Sequence, residues 1–315
     1  MRKIIFVLVF MSGFLQIEAE NGYRLWLRYD LISNLKILGE YKNSINGLMF
    51  SGSSPTIEAA KEEMQIGLSG LLEKNIPEVN SVNESGIIII GTPDNLPEEL
   101  KSGTKERLKN IGGEGFVIYN SSIGGKKVIV VSGKKDIGLL YGVFNFLRLL
   151  QTNQRIDNLE IESSPKIKNR ILNHWDNLDG SVERGYAGFS IWNWHKLPDY
   201  IDVRYKDYAR ANASIGINGT VLTNVNANAF VLTHQYLEKV AALANHFRPY
   251  GIKVYLTARF SAPIEIGGLK TADPLDEKVK KWWKEKVEEI YKLIPDFGGF
   301  LVKANSEGQP GPQNY

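Results

Sequence analysis

The sequence predicts a mixed α/β fold in two parts, and three observations carry that expectation. Short apolar runs bounded by Gly, Asn or Ser turn signals alternate with helical stretches. The rhythm of the alternation changes near Ser163-Ser164-Pro165, and beyond that point each strand-like run begins apolar and ends in polar or aromatic residues. Composition agrees: the 315 residues are 43% hydrophobic and 23% charged, with 30 Gly and 12 Pro scattered without period, which excludes disordered and collagen-like chains. No run of eighteen apolar residues marks a membrane span. Lys and Arg number 38 against 35 Asp and Glu, a net charge of +3 that is too balanced for a nucleic-acid-binding surface. The absence of cysteine excludes disulfides, thiolate metal sites and thiol nucleophiles. His174, His195, His234 and His246 show no metal-ligand spacing on one helix face, and no phosphate-cradling glycine loop opens a helix, so no metal and no cofactor is expected.

Residues 1–19 read as a signal peptide. Arg2 and Lys3 precede a short apolar run, and Ile17-Glu18-Ala19 offers a small residue where a peptidase could cut, so a periplasmic or extracellular location is expected. A buried amino-terminal strand or helix is the alternative. Residues 20–165 form the expected small α/β domain, with strands over 87–90, 116–119 and 127–131 as neighbours in one core. One helix follows Ser54-Pro55, with Ile57, Ala60, Met64, Leu68 and Leu71 on one face. A second, over 136–151, is apolar nearly all round, so it needs cover from the sheet and from a second domain.

Residues 166–315 carry four strand candidates starting at 170, 220, 253 and 299, with helices between them. Tyr236, Val240, Leu243 and Phe247 mark one helix, stopped by Pro249 and Gly251; Val279, Trp282, Lys286 and Ile290 mark the next. Strand, helix, strand, helix implies parallel pairing through right-handed crossovers. All four strand ends are decorated: His174-Trp175-Asp176-Asn177, Asn224-Val225-Asn226, Arg259, and Lys303 through Glu307. A (β/α)8 TIM barrel collects its functional groups in that way, whereas an open sheet concentrates them at one switch point. The expected fold is therefore a small α/β domain followed by the first half of such a barrel, the front part of a longer protein.

Glu307 lies in Ser306-Glu307-Gly308-Gln309-Pro310-Gly311-Pro312, where glycines and prolines would fix an irregular loop at the barrel mouth. A carboxyl group there can act as general acid in glycoside hydrolysis, or be an ordinary surface Glu in a turn. Lys303 ends an otherwise apolar strand; it either binds an anionic group or closes a buried ion pair.

The run Asn173-His174-Trp175-Asp176-Asn177-Leu178-Asp179-Gly180-Ser181-Val182-Glu183-Arg184-Gly185-Tyr186-Ala187-Gly188, with 306–312 and Asn224-Val225-Asn226-Ala227, resembles the glycoside hydrolase family 67 α-glucuronidases. That resemblance implies an inverting hydrolase that removes α-1,2-linked glucuronic acid, or its 4-O-methyl ether, from xylo-oligosaccharides derived from glucuronoxylan. It implies Glu307 as general acid, Lys303 against the uronate carboxylate, and Trp175 and Val225 around the O4 substituent. His174, Asn224, Asn226 and Arg259 are the further substrate-binding candidates. An inverting enzyme needs a second carboxylate about 6.5–9.5 Å from the acid. In the family this base comes from an Asp and a Glu on later strands, and a helical carboxyl-terminal domain follows, through which a homodimer could form. A protein ending at Tyr315 is therefore expected to be inactive and poorly folded. The charges fit the assignment: the Lys303 ammonium opposes protonation of Glu307 until a uronate pairs with it.

The aromatic residues Tyr186, Phe189, Trp192 and Trp194 of the first long loop either stack on sugar or anchor the loop. Arg259 would bind substrate or pair with Glu307 or Asp176, and Trp282 and Trp283 are expected to pack. Two other classes fit part of the pattern. A substrate-assisted N-acetylhexosaminidase would need adjacent carboxylates after the fourth strand, where only Glu307 stands. A non-catalytic carbohydrate-binding protein would keep Trp175 without needing Glu307.

Overall fold

The computed structural model describes residues 24–302. Residues 1–19, Lys303 and Glu307 lie outside them. Two sheets organise the chain, one of five strands in the order β1-β2-β4-β3-β5 and one of four in the order β6-β7-β8-β9.

The first sheet comprises β1 (Gly47–Ser51), β2 (Ile87–Gly91), β3 (Phe116–Ile123), β4 (Lys126–Gly133) and β5 (Glu160–Ser163). β1, β2 and β4 are parallel, while β3 runs antiparallel to both β4 and β5. The uninterrupted apolar run of β2 is explained by cover on both faces. Ile87 and Ile89 pack with Leu100 and Leu108 around α3 (Glu98–Arg107). Ile88 and Ile90 face the larger core, which α2 (Pro55–Leu72) and α4 (Asp136–Gln151) complete. α2 starts where Ser54 accepts the Ile57 amide at 3.2 Å and Pro55 presets the first turn. The neighbouring strands expected over 87–90, 127–131 and 116–119 are indeed β2, β4 and β3 side by side. α1 (Leu35–Ser44), α3, β1 and β5 were not anticipated.

The second sheet comprises β6 (Ile171–Asn173), β7 (Gly219–Val221), β8 (Lys253–Ala258) and β9 (Gly299–Val302), all parallel and in chain order. Between them lie α5 (Val203–Ser214), α6 (His234–Phe247), the single turn α7 (Ala262–Glu265) and α8 (Glu277–Leu293). The helix face through Val240, Leu243 and Phe247 is buried, and the chain leaves α6 through Pro249 and a left-handed Gly251. Thr220, Leu222, Val254 and Leu256 are buried on the helix side of the sheet. The other face carries Asn173, Val221, Tyr255 and Gly299 in one register row. A methyl group at Gly219 or Gly298 would collide with the Tyr255 ring, so both flanking positions require glycine.

The all-round apolar α4 receives the cover its composition demands, from β3 and β4, from α2 and from α5. Polar ties cross between the halves as well. Arg148 Nη2 donates to the Ser214 carbonyl at 2.6 Å and Trp26 Nε1 to its hydroxyl at 2.8 Å. Glu114 takes Arg170 Nη2 at 2.7 Å and Asn218 Nδ2 at 3.1 Å. Deepest is Glu63, 2% exposed, which accepts Arg210 Nε at 2.7 Å and Nη2 at 3.0 Å together with the Tyr29 hydroxyl at 2.5 Å. Burial pushes the Tyr29 phenol far up, and the adjacent Glu63 carboxylate adds to the shift.

Candidate active site

The carboxyl ends of β6, β7 and β8 are knotted together by main-chain and side-chain bonds. The Asn224 amide donates to the Asp176 carbonyl at 2.8 Å, and the Asn224 carbonyl accepts the Thr257 hydroxyl at 2.8 Å. Its side-chain oxygen accepts the Asn226 amide at 2.9 Å, and its Nδ2 reaches the Trp175 carbonyl at 3.4 Å. Asn224 is 4% exposed and is spent on holding three strand ends in place. Val225 and Asn226, half-buried, follow it on the rim.

β6 is shorter than the 170–175 run expected from sequence, because the chain after Asn173 turns into a loop pinned from within. Asp176 bridges Val182 and Ser181 bridges Phe189. The Asp176 carboxylate, 4% exposed, accepts the Ser190 hydroxyl through Oδ2 and lies 3.4 Å from His174 Nδ1 through Oδ1. His174 Nε2 is 2.8 Å from the Tyr208 hydroxyl, itself 2.8 Å from Thr220 Oγ1. A carboxylate beside Nδ1 favours the proton there, so that Nε2 accepts from Tyr208. Burial pushes the Tyr208 phenol up, consistent with a hydroxyl that keeps its proton and donates it. Both ring nitrogens of His174 therefore face protein groups, and the ring packs against Trp192 and Tyr208.

Trp175, the next residue, is 42% exposed. Arg259, just past β8, is braced by three groups: Nε reaches Glu265 Oε1 at 2.8 Å and Ser261 Oγ at 3.0 Å, and Nη1 donates to the Asn226 carbonyl at 3.2 Å. Its carboxylate partner is thus Glu265 on α7, in place of the Asp176 considered from sequence. No bond from Nη2 joins these among the described residues.

The loop aromatics divide. Trp192 and Trp194 are each 1% exposed, wedged against Tyr205, Phe247 and Tyr236, so they anchor the loop and do not offer stacking faces. Tyr186 and Phe189 stay exposed. Trp282 and Trp283 pack edge to face at 4.8 Å against the core, as expected. Sequence reasoning missed Ser190, Tyr208 and Glu265; only the His174-x-Asp176 spacing hinted that these two side chains would meet. β9 ends at Val302 beside Ala258, and Lys303 and Glu307 follow it in sequence beyond the described residues. Among the described residues no group of three or more His, Asp or Glu side chains is placed to hold a metal ion, and no helix is long and apolar enough to cross a membrane.

Residues 25–146 match the family model described as the glycosyl hydrolase family 67 N-terminus, and residues 149–315 match the family 67 middle domain. An alpha-glucuronidase A of Emericella nidulans is 37% identical over 310 residues, covering 94% of this chain and 35% of the relative. A probable alpha-glucuronidase A of Aspergillus clavatus is 38% identical over 317 residues, covering 100% of this chain and 37% of its own length. The chain thus spans about a third of the length of these relatives. Among solved structures, a GH138 enzyme targeting pectin rhamnogalacturonan II superposes with a TM-score of 0.54 at 18% identity, over 82% of this chain and 30% of that one. CpGH84B does so at 0.52 and 15%, over 82% and 40%. Both likenesses concern the fold alone.

Proposed function

We propose, for a chain that belongs to glycosyl hydrolase family 67, that the whole protein is an inverting α-glucuronidase. Its substrate would be a xylo-oligosaccharide bearing α-1,2-linked glucuronic acid or the 4-O-methyl ether. The observation that carries the reading is the pinned 173–190 loop, which sets an exposed Trp175 at the carboxyl ends of parallel strands. A four-stranded parallel sheet in chain order, with helices between its strands, supports the reading of residues 166–315 as the first half of a (β/α)8 barrel after a small domain over 20–165.

In this reading Glu307 protonates the leaving oxygen and Lys303 grips the uronate, while Trp175 and Val225 border O4. The braced Arg259 and the rim residue Asn226 meet substrate oxygens directly. His174 and Asn224, committed to internal bonds, act by fixing Trp175 and the strand ends. The general base comes from beyond Tyr315, so residues 1–315 alone are expected not to turn over. Export through residues 1–19 and a homodimer complete the proposal.

The test uses the full-length protein on an aldouronic acid. Release of free glucuronic acid with inverted anomeric configuration is expected. Glu307→Ala should lower kcat far more on that natural leaving group than on an activated aryl glycoside. Lys303→Ala should raise KM for uronate substrates. Equal loss by Glu307→Ala on both leaving groups, or absence of glucuronate release by the wild type, would overturn the reading.

A further inference from the structure

We propose that the Glu183 carboxylate accepts hydrogen bonds from ring hydroxyls of the bound uronosyl residue, which makes it a specificity-determining residue; this rests on the glucuronidase reading above. The Glu183 side chain is only 16% exposed. Its Oε2 is enclosed and has no hydrogen-bond partner among the described residues. The nearest cation to its other oxygen is Arg184 Nε at 3.7 Å, beyond hydrogen-bonding distance. A buried carboxylate oxygen left in that condition is costly, and such an atom takes its partner from ordered water, from another part of the chain or from a ligand.

The backbone places this carboxylate deliberately. Glu183 has a φ of 56°, a left-handed conformation that non-glycine residues avoid. Its amide donates to the Trp175 carbonyl at 2.8 Å, and its carbonyl accepts Asn177 Nδ2 at 2.6 Å. These bonds hold the strained residue in register with Trp175, and strain so maintained gathers at functional sites. An exposed indole and an unsatisfied acceptor therefore share one short stretch of loop.

A pyranose complements that pair, with an apolar ring face for the indole and a rim of O–H donors for the acceptor. A carboxylate accepts and does not donate, so it pairs with hydroxyls and repels the uronate group. The sugar must then lie with its hydroxyl edge toward Glu183 and its carboxylate directed elsewhere. Two carboxylate oxygens match two neighbouring hydroxyls.

The experiment measures binding of D-glucuronate and its 2-deoxy and 3-deoxy analogues by calorimetry to the full-length protein, as wild type, Glu183→Gln and Glu183→Ala, with melting temperatures alongside. The wild type should bind at least one deoxy analogue about tenfold more weakly than glucuronate, the size of a lost hydrogen bond to a charged acceptor. Glu183→Ala should weaken glucuronate by a similar factor and erase the distinction, and Glu183→Gln should fall between. Variants that keep the wild-type discrimination overturn the proposal, including the case where only the melting temperature falls because another part of the chain satisfies Oε2. A wild type that binds no glucuronate sinks the glucuronidase reading itself, a separate result.

Discussion

The hydroxyl of Ser190 donates to Oδ2 of Asp176 at 2.5 Å, closing a loop between residues 14 positions apart. Ser190 Oγ in turn accepts the Trp192 amide at 3.0 Å, so one side chain links the strand end to the buried tryptophan that anchors the loop. Replacing Ser190 by Ala leaves a buried carboxylate oxygen unpaired, at a cost of about 1–3 kcal/mol. Urea unfolding should show a lower midpoint with an unchanged m-value. An unshifted midpoint would mean that the contact contributes nothing.

A larger loss is expected at the buried pair between the halves. Arg210 and Glu63 have side chains 10% and 2% exposed. Arg210→Met strands both Glu63 and Asp207, whose Oδ1 takes Arg210 Nη1 at 2.7 Å, and should cost roughly 3–5 kcal/mol; the double replacement Glu63→Leu with Arg210→Met should recover only the Glu63 share, because Asp207 stays without its cation and the Tyr29 hydroxyl without its acceptor. Denaturant midpoints of the two single variants and the double variant form the cycle that decides this.

Glycine substitutions should split by location. A Cβ at Gly103, within α3, meets nothing within 4 Å, so Gly103→Ala should stabilise by about 0.5–1 kcal/mol through helix propensity. A Cβ at Gly138, in the first turn of α4, would strike the Gly115 carbonyl, so Gly138→Ala should lower the melting temperature sharply. Opposite signs in calorimetric melting are the expected result; two shifts of the same sign would contradict the packing described.

His246 gives a pH dependence. It lines a cleft of about 490 Å³ between α2 and the end of α6, with Glu58, Lys61 and Glu62 on α2 and Lys206 on α5. Burial, aided by Lys206, holds its ring below the ordinary histidine value of 6.5. The unfolded chain then binds the proton first, so the contribution of His246 is fully present above about pH 6.5 and is lost as pH falls toward the lowered value. Unfolding free energy should decline below about pH 6.5 in the wild type, and less steeply in His246→Gln. Parallel pH profiles would exclude the ring as the cause.

Much of this was legible in the residues. The Ser54-Pro55 start, the apolar run 87–90 and the all-round apolar 136–151 each admit one reading, because capping chemistry and two-sided burial leave direct marks. α3 left almost none: among its ten residues only Leu100 and Thr104 are buried, too narrow a stripe to stand out. β5 is a mostly exposed edge strand of four residues. At the candidate site, the motif marks the ends of the strands but not the direction of its rings. Trp192 and Trp194 share a loop with Phe189, yet two are interior and one is exposed, a difference set by contacts with α5 and α6 that lie well ahead in sequence. Nor does spacing announce that Glu183 is left-handed.

Ser214, the last residue of α5, receives both Arg148 and Trp26 from the opposite half. A recombinant chimera that exchanged residues 24–163 for those of a distant homologue would leave that meeting point without its guests unless the two positions were carried over together. A graft at that boundary must therefore carry Trp26 and Ser214 as a matched pair, while the Arg148 bond asks only for a main-chain carbonyl at the end of α5.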